Sequence, residues 1–161
     1  MFEKFGEFDS AEELNRAAAG QKEQGDGEAL KELAVENGLD PEDAEDYLDG
    51  VTDQLATPLM AAIGKLSVES KRVKCAEIME DWLDYIKAQC MDSEEMARAV
   101  RRKGNSLEGC IAALLKWSFA HQIPVDKKIM TAAGVSAGRC TLGIPGMGTA
   151  KKIIKDYYLG R

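Results

Sequence analysis

Helix start and stop signals recur at short intervals along this chain, while almost no stretch alternates polar and apolar residues as a half-buried strand would. Ser10 and Glu13 have the spacing of a capping box, and Asp40 followed by Pro41 is typical of a helix start. Gly38 and Gly50 stand where left-handed helix ends are expected. The pattern predicts an all-α fold, a helical bundle of about eight or nine short-to-medium helices. The predicted helices cover 10–22, 28–37, 40–49, 58–73, 76–90, 92–103, 106–121, 124–133 and 149–159.

Three details of this prediction concern the second half of the chain. Asp92 and Glu95 have capping-box spacing, so Asp92 is predicted to cap the sixth helix. Pro124 is predicted to open the eighth helix. The segment 106–121 is the most apolar, and we expect it to form the centre of the core. Its apolar residues are Leu107, Cys110, Ile111, Leu114, Leu115, Trp117 and Phe119.

Acidic and basic residues are segregated along the chain. Residues 1–55 contain 17 acids and 4 bases, a net charge of −13, whereas residues 56–161 sum to +6. We therefore predict an acidic helical N-terminal segment over 1–55, a small appendage, and a main helical domain over 56–161 whose C-terminal part is basic. Such asymmetry indicates either a partner for one half or contact between the two halves.

Two groups of charged residues are candidate binding residues. For each group, a solvated face is the alternative explanation, and for bases in the last turns of a helix so is compensation of the helix dipole. The candidate acidic residues for partner binding are Asp40, Glu42, Asp43, Glu45, Asp46 and Asp49. The candidate basic residues, for a partner or for nucleic acid, are Arg98, Arg101, Arg102, Lys103, Lys151, Lys152 and Lys155.

The stretch 141–148, TLGIPGMG, raises the question of a phosphate-binding loop. A Walker loop is excluded, because Thr149 and Ala150 stand where lysine and serine or threonine belong. The stretch partly matches a helix-hairpin-helix, a DNA-backbone binder with a Gly-hydrophobic-Gly turn. The favoured alternative is a tight corner. In that alternative the glycines allow close packing, and Leu142, Ile144 and Met147 fill the core.

No arrangement of residues indicates catalysis. Glu77, Glu80, Asp81 and Asp84 are interpreted as a solvated face, and the single histidine, His121, as structural. The sequence contains no EF-hand register and no zinc-ligand pair, so no metal and no cofactor are predicted. The chain is predicted not to be an enzyme.

Cysteine usage and hydropathy bear on location. Four cysteines without a close pair are typical of reduced thiols in a cytoplasm. The N-terminal stretch lacks a basic region followed by an apolar one, so no secretory signal is expected, and no apolar run is long enough to span a bilayer. A cytoplasmic protein that does not contact membranes is predicted.

The stretch from about 78 to 158 carries a DWLDYI helix, then KGNSLEGC, then VD at 125–126 and a closing Tyr157-Tyr158 pair. This pattern resembles the PcfK-like proteins of conjugative elements and phages of gut Firmicutes. Some relatives of these proteins are described as anti-CRISPR inhibitors of the type II effector nuclease. The resemblance covers about half of the chain and includes neither the acidic segment nor the GIPGMG loop. It implies an inhibitor in a bacterial host that binds the nuclease or its guide-RNA complex, and it transfers no functional residue.

Two hypotheses follow. In the first, the chain is a non-enzymatic inhibitor whose acidic segment occupies a positively charged nucleic-acid channel. In the second, it is a nucleic-acid-binding accessory or regulatory protein of a conjugative element or phage, and the acidic segment masks its bases. An enzyme that uses the 77–84 carboxylates is a third and weaker alternative.

Overall fold

The computed structural model describes residues 2–160 and confirms the predicted all-α bundle. Within this range the chain forms nine α-helices and one two-stranded antiparallel sheet. In chain order the elements are α1 (Ala11–Glu23), α2 (Gly27–Glu36), α3 (Pro41–Leu48), α4 (Pro58–Val73), α5 (Ile78–Asp92), α6 (Glu94–Arg101), α7 (Leu107–Ala120), β1 (Ile123–Pro124), α8 (Lys127–Ala132), β2 (Thr141–Leu142) and α9 (Met147–Leu159).

Side-chain caps fix most helix starts where the sequence predicts them. The Ser10 and Thr57 hydroxyls accept hydrogen bonds from the backbones of Glu13 and Met60. The prediction that Asp92 caps the sixth helix is wrong. Asp92 is the last residue of α5, and the hydroxyl of the next residue, the extended Ser93, accepts from the backbone N–H of Met96. One serine therefore ends α5 and begins α6.

Helix α4 lies at the centre of the molecule and contributes to two hydrophobic clusters. It packs against α5, α6 and α7, and also against α1. The cluster formed mainly by α1, α2 and α3 includes Ala56 and Ala61, whereas the second cluster begins at Ala62 and Leu66 and extends to Tyr158. The predicted boundary at residue 55 lies within the first cluster, because Leu55 and Ala56 are both buried in it.

The end of α2 and the middle of α4 approach each other at two glycines. Gly38 has a φ of 74°, and a Cβ atom placed there would lie 2.2 Å from the carbonyl oxygen of Gly64. A Cβ atom on Gly64 would lie 2.3 Å from the carbonyl oxygen of Asn37. The two backbones are therefore in direct contact, and only glycine fits at either position.

Helix α7 is not the fully buried centre that its apolar sequence predicts. Leu107, Cys110 and Leu114 are buried, but Leu115 is 54% exposed and Phe119 is 75% exposed. The reason is that α7 packs on α9 and α4 with one face only. Its other apolar face lies at the surface.

Residues 121–146, here called the arm, leave the end of α7 and return to the start of α9. In the arm, β1 pairs with β2, with Ile123 opposite Leu142. Pro124 belongs to β1 and does not open a helix as predicted. Helix α8 starts at Lys127, and the Asp126 carboxylate caps it. Only Met130 and Pro145 of the arm are buried.

Candidate functional site

Six acidic residues on and beside α3 form the acidic face: Asp40, Glu42, Asp43, Glu45, Asp46 and Asp49. All are exposed except Asp43, which is half-buried. Because α3 is only eight residues long, its carboxylates lie close to one another on two helical turns. The structure therefore brings the sequence-predicted acidic residues together on one short helix and at its two ends.

The members of the acidic face have different local roles. Asp40 and Asp43 form a reciprocal capping box at the start of α3, so both carboxylates stabilise the helix itself. Glu45 forms an ion pair with Lys31 at 2.8 Å, and this hydrogen bond is the main reason that the pKa of Lys31 is raised. The remaining three, Glu42, Asp46 and Asp49, form no salt bridge or side-chain hydrogen bond with any residue of the 2–160 range.

A groove of about 540 Å³ lies beside the acidic face. Asp43, Asp46 and Asp53 contribute its carboxylates, and Val51 and Met60 contribute apolar surface. Since none of these carboxylates pairs with a base among the residues that the structure describes, the groove extends the negative surface from α3 towards the start of α4.

Arg98 and Arg101 of α6 both contact the acidic segment, and the predicted basic surface patch lacks Arg101, which is buried. The Arg98 guanidinium donates to Glu12 at 2.5 Å and to Glu94 at 2.7 Å, and its hydrogen bond holds the pKa of Glu12 below the ordinary value. Arg101 is 1% exposed and donates to the Asn37 side chain at 2.7 Å. Arg98, Arg102 and Lys103 keep exposed side chains.

A buried ionic junction, which the sequence did not indicate, continues this contact. Lys65 is 0% exposed, and its ammonium lies 2.7 Å from the Glu7 carboxylate, 2.7 Å from the Arg102 carbonyl and 4.0 Å from Glu69. Burial raises the pKa of Glu69, whose carboxylate accepts from the Leu107 backbone. The one available signal was the Lys65–Glu69 spacing of four residues on the same stripe as Ala61.

The three lysines of α9 lie beside a groove of about 550 Å³ between α5 and α9. Lys151 lies over the ring of Tyr85, 5.2 Å from its centre. Lys152 pairs with Asp156 on the same helix, at 2.5 Å. Lys155 is exposed and has no ion pair with a described residue. The lysines of α9 are thus separate from the α6 bases, which contact the acidic segment.

The glycine-rich loop before α9 is neither a helix-hairpin-helix nor a plug for the core. The element before it is β2, so no helix pair flanks the turn. Leu142, Ile144 and Met147 are exposed, because the loop runs over the surface with Pro145 as its buried residue. Close packing occurs at Gly143 alone, where a Cβ atom would lie 2.5 Å from the Ser118 carbonyl oxygen.

The other candidate chemical groups lie apart from these surfaces. Glu77, Glu80, Asp81 and Asp84 are all exposed on α5. His121 stacks on Trp117, with ring centres 4.2 Å apart. Across residues 2–160, no group of three or more His, Cys, Asp or Glu side chains is placed to hold a metal.

Two further properties concern the thiols and the helix lengths. Burial raises the pKa of Cys90 and of Cys110 to about 12, so both thiols are protonated at neutral pH. None of the described helices is both long enough and apolar enough to cross a bilayer.

Comparison with known proteins identifies no relative, so the functional interpretation depends on the geometry of this chain. The resemblance to PcfK-like proteins stays a prediction that depends on the quoted residues. No protein-family model, no curated protein and no solved structure matches the chain.

Proposed function

We propose that the chain is a non-enzymatic inhibitor that uses its acidic face to occupy a positively charged nucleic-acid channel of a type II CRISPR effector nuclease. The observation that supports this proposal is a set of unpaired carboxylates that face solvent while other acids of the segment pair internally: Glu42 and Asp46 on α3 and Asp49 at its C-terminal end. Unpaired carboxylates on a rigid helix present a fixed negative pattern to lysines and arginines that otherwise hold a phosphate backbone.

The way in which the acidic segment is anchored favours this mode of binding. Glu7, Glu12 and Asn37 contact Lys65, Arg98 and Arg101, and through these contacts the segment is fixed to α4 and α6. A preorganised acidic surface loses less conformational entropy on binding than a flexible acidic tail. Inhibition of this kind needs no reactive group, because steric and electrostatic competition with the nucleic acid is sufficient.

The proposal is tested by DNA cleavage with a reconstituted type II nuclease and its guide RNA, titrated with the full chain. The variant Glu42→Lys, Asp46→Lys, Asp49→Lys spares the capping pair Asp40 and Asp43. We expect the concentration for half inhibition to rise roughly 100-fold or more, because three attractive contacts become repulsive.

The matched control is Glu80→Lys, Asp84→Lys, Asp92→Lys on α5, which changes the net charge by the same amount at exposed positions. It should inhibit like the unaltered chain. Equal loss in both variants would identify a general charge effect, and absence of inhibition by the unaltered chain would refute the proposal. Deleting residues 1–55 is a poor test, because it would remove Glu7 and Asn37, which pair with Lys65 and Arg101, together with most of the first hydrophobic cluster.

A second candidate function is binding of nucleic acid by α9, as an accessory or regulatory protein of a conjugative element or phage. It is favoured by the exposed Lys155 and by Lys151, which lies over Tyr85, an aromatic ring beside unpaired cations. Such a combination suits the stacking and phosphate contacts that single strands make. The α6 bases do not contribute, because Arg98 and Arg101 contact the acidic segment.

The nucleic-acid function predicts salt-dependent binding of a labelled single-stranded oligonucleotide to the full chain. Lys151→Gln, Lys155→Gln should weaken binding and reduce the slope of log affinity against log salt by about 1.4, because each lost phosphate contact on a single strand contributes about 0.7. Lys71→Gln, Lys74→Gln, two exposed positions at the end of α4, is the control and should leave both unchanged. Binding that both variants weaken equally would argue against an α9 site.

A further inference from the structure

An apolar groove of about 420 Å³ lies between the first turn of α5, the exposed face of α7 and the end of the arm. Its walls are Ile78, Trp82, Ile111, Leu115, Phe119 and Ile144. On α7 the groove residues are spaced by four, so a continuous apolar stripe runs along that helix. The groove is separate from the acidic face and from the α9 lysines.

The exposed apolar surface of the molecule is concentrated around this groove and the arm. Of the eleven large hydrophobic residues that are exposed between residues 2 and 160, eight lie within residues 115–147. Three of them, Leu115, Phe119 and Ile144, line the groove, and exposed apolar surface that is gathered in one place marks an interaction site in a folded protein. The eight are Leu115, Phe119, Ile123, Ile129, Val135, Leu142, Ile144 and Met147.

The charges of the same segment are almost all positive and unpaired. Residues 115–147 contain four bases, Lys116, Lys127, Lys128 and Arg139, and a single acid, Asp126. Asp126 accepts hydrogen bonds at the start of α8. None of the four bases forms an ion pair with a residue of the 2–160 range. The α7 and arm side of this surface therefore carries a net positive charge that is complementary to an acidic partner, whereas the exposed Glu77, Glu80 and Asp81 flank Ile78 and Trp82 on the α5 side.

We propose that the groove and the arm together form a docking site for an acidic amphipathic protein segment. Its apolar side chains fill the groove along the α7 stripe, and its carboxylates face Lys116 and the bases of the arm. This is helix-in-groove recognition, in which side chains at helical spacing anchor the partner. The site is independent of the acidic face, so the segment binds whether or not the chain inhibits a nuclease.

The chemistry of the surface favours this occupant over the others. In a two-fold dimer the same patch meets itself, so Lys127, Lys128 and Arg139 would be brought towards their own copies. Nucleic acid stacks on aromatic rings, but seven of the eight exposed apolar residues are aliphatic. A lipid surface is flat, whereas a concave groove accepts protruding side chains.

The test is isothermal titration of the full chain with a synthetic helical peptide of about 18 residues, five turns. The peptide carries Leu and Phe on one face and Glu on the other. A second peptide has Lys at every Glu position. We expect saturable binding of the acidic peptide and at least about tenfold weaker binding of the basic one. Failure of the acidic peptide to saturate up to about 1 mM, or equal affinity of both peptides, would overturn the proposal.

Substitutions in the chain test whether the acidic peptide binds at the groove and the arm. Leu115→Ser, Phe119→Ser removes two exposed anchors and should weaken binding roughly tenfold or more. Met91→Ser, a change at another exposed apolar residue outside the groove, should leave binding unchanged. Lys127→Glu, Lys128→Glu alters only exposed side chains and should weaken the acidic peptide while strengthening the basic one. Unchanged binding in the groove variant would contradict the site.

Three further measurements test the alternative occupants of the groove. Sedimentation of the chain alone, binding of a thymidine oligonucleotide and binding to phosphatidylserine vesicles report on a second copy, on nucleic acid and on a membrane. The proposed partner would be replaced by another occupant under two conditions. The chain does not bind the acidic peptide, and Phe119→Ser abolishes self-association, oligonucleotide binding or vesicle binding.

Discussion

Replacing Gly64 with alanine is expected to lower the free energy of unfolding by about 3 kcal/mol or more. The added Cβ atom would lie 2.3 Å from the Asn37 carbonyl oxygen, and the atom it meets is backbone, which no rotamer change can move. The end of α2 must therefore separate from α4. In thermal melts followed by circular dichroism, the loss corresponds to a midpoint lower by roughly 6–12 °C.

The same substitution at Gly20 is the matched control. Gly20 lies inside α1, and a Cβ atom there meets nothing within 4 Å. Gly20→Ala should therefore raise the free energy of unfolding by about 0.5–1 kcal/mol, because alanine is the better helix former. Two melting curves that move in the same direction would contradict the close approach of α2 and α4.

Replacing Lys65 with methionine is expected to cost about 3–5 kcal/mol at neutral pH. The substitution keeps the length of the side chain but leaves the buried Glu69 and the Arg102 carbonyl without their cationic partner. Because Glu69 is 2% exposed, water cannot replace the lost charge. Urea unfolding of both proteins under the same conditions measures the difference.

The cost of Lys65→Met should depend on pH. Burial already raises the pKa of Glu69, and loss of the attraction from Lys65 raises it further. The folded variant then keeps a proton that the unfolded chain releases. Its stability relative to the unaltered chain therefore falls as pH rises from the ordinary glutamate pKa through the raised folded value. The deficit should be smaller at about pH 5 than at about pH 7.5.

A second substitution identifies the buried charge as the cause. In Lys65→Met, Glu69→Gln the amide oxygen still accepts from the Leu107 backbone without carrying a charge. The double variant should recover about 2 kcal/mol or more and lose the extra pH dependence. If Lys65→Met alone were neutral and independent of pH, the junction would not contribute to the stability of the fold.

Local chemistry explains why the helices could be predicted so closely. The start of α4 is specified by Thr57 and Pro58, two neighbours whose capping and backbone preferences need no tertiary contact. The choice between Asp92 and Ser93 could not be made in the same way. Both residues can cap, and the decision depends on how α5 and α6 pack against each other.

Long-range contacts decide the features that the sequence did not reveal. Arg101 has the sequence pattern of a surface base, but in the fold it is buried and donates to Asn37, 64 residues earlier, and to the Ala61 carbonyl, 40 residues earlier. Leu115 and Phe119 have the pattern of a core, and only the packing of α7 on α9 and α4 leaves them outside. The strands β1 and β2 have two residues each, too few for alternation to be recognised.

Because the chain is synthesised from its N-terminus, the acidic segment leaves the ribosome before the residues that anchor it. Asp9 accepts from the backbone of Lys103, 94 residues later, and Glu12 binds Arg98, 86 residues later. A ribosome releases α1, α2 and α3 well before it releases α6. During that interval the nascent acidic segment lacks its contacts with α6. A polypeptide that ended before Arg98 would carry most of the acidic residues but neither of the arginines, Arg98 and Arg101, that anchor the acidic segment.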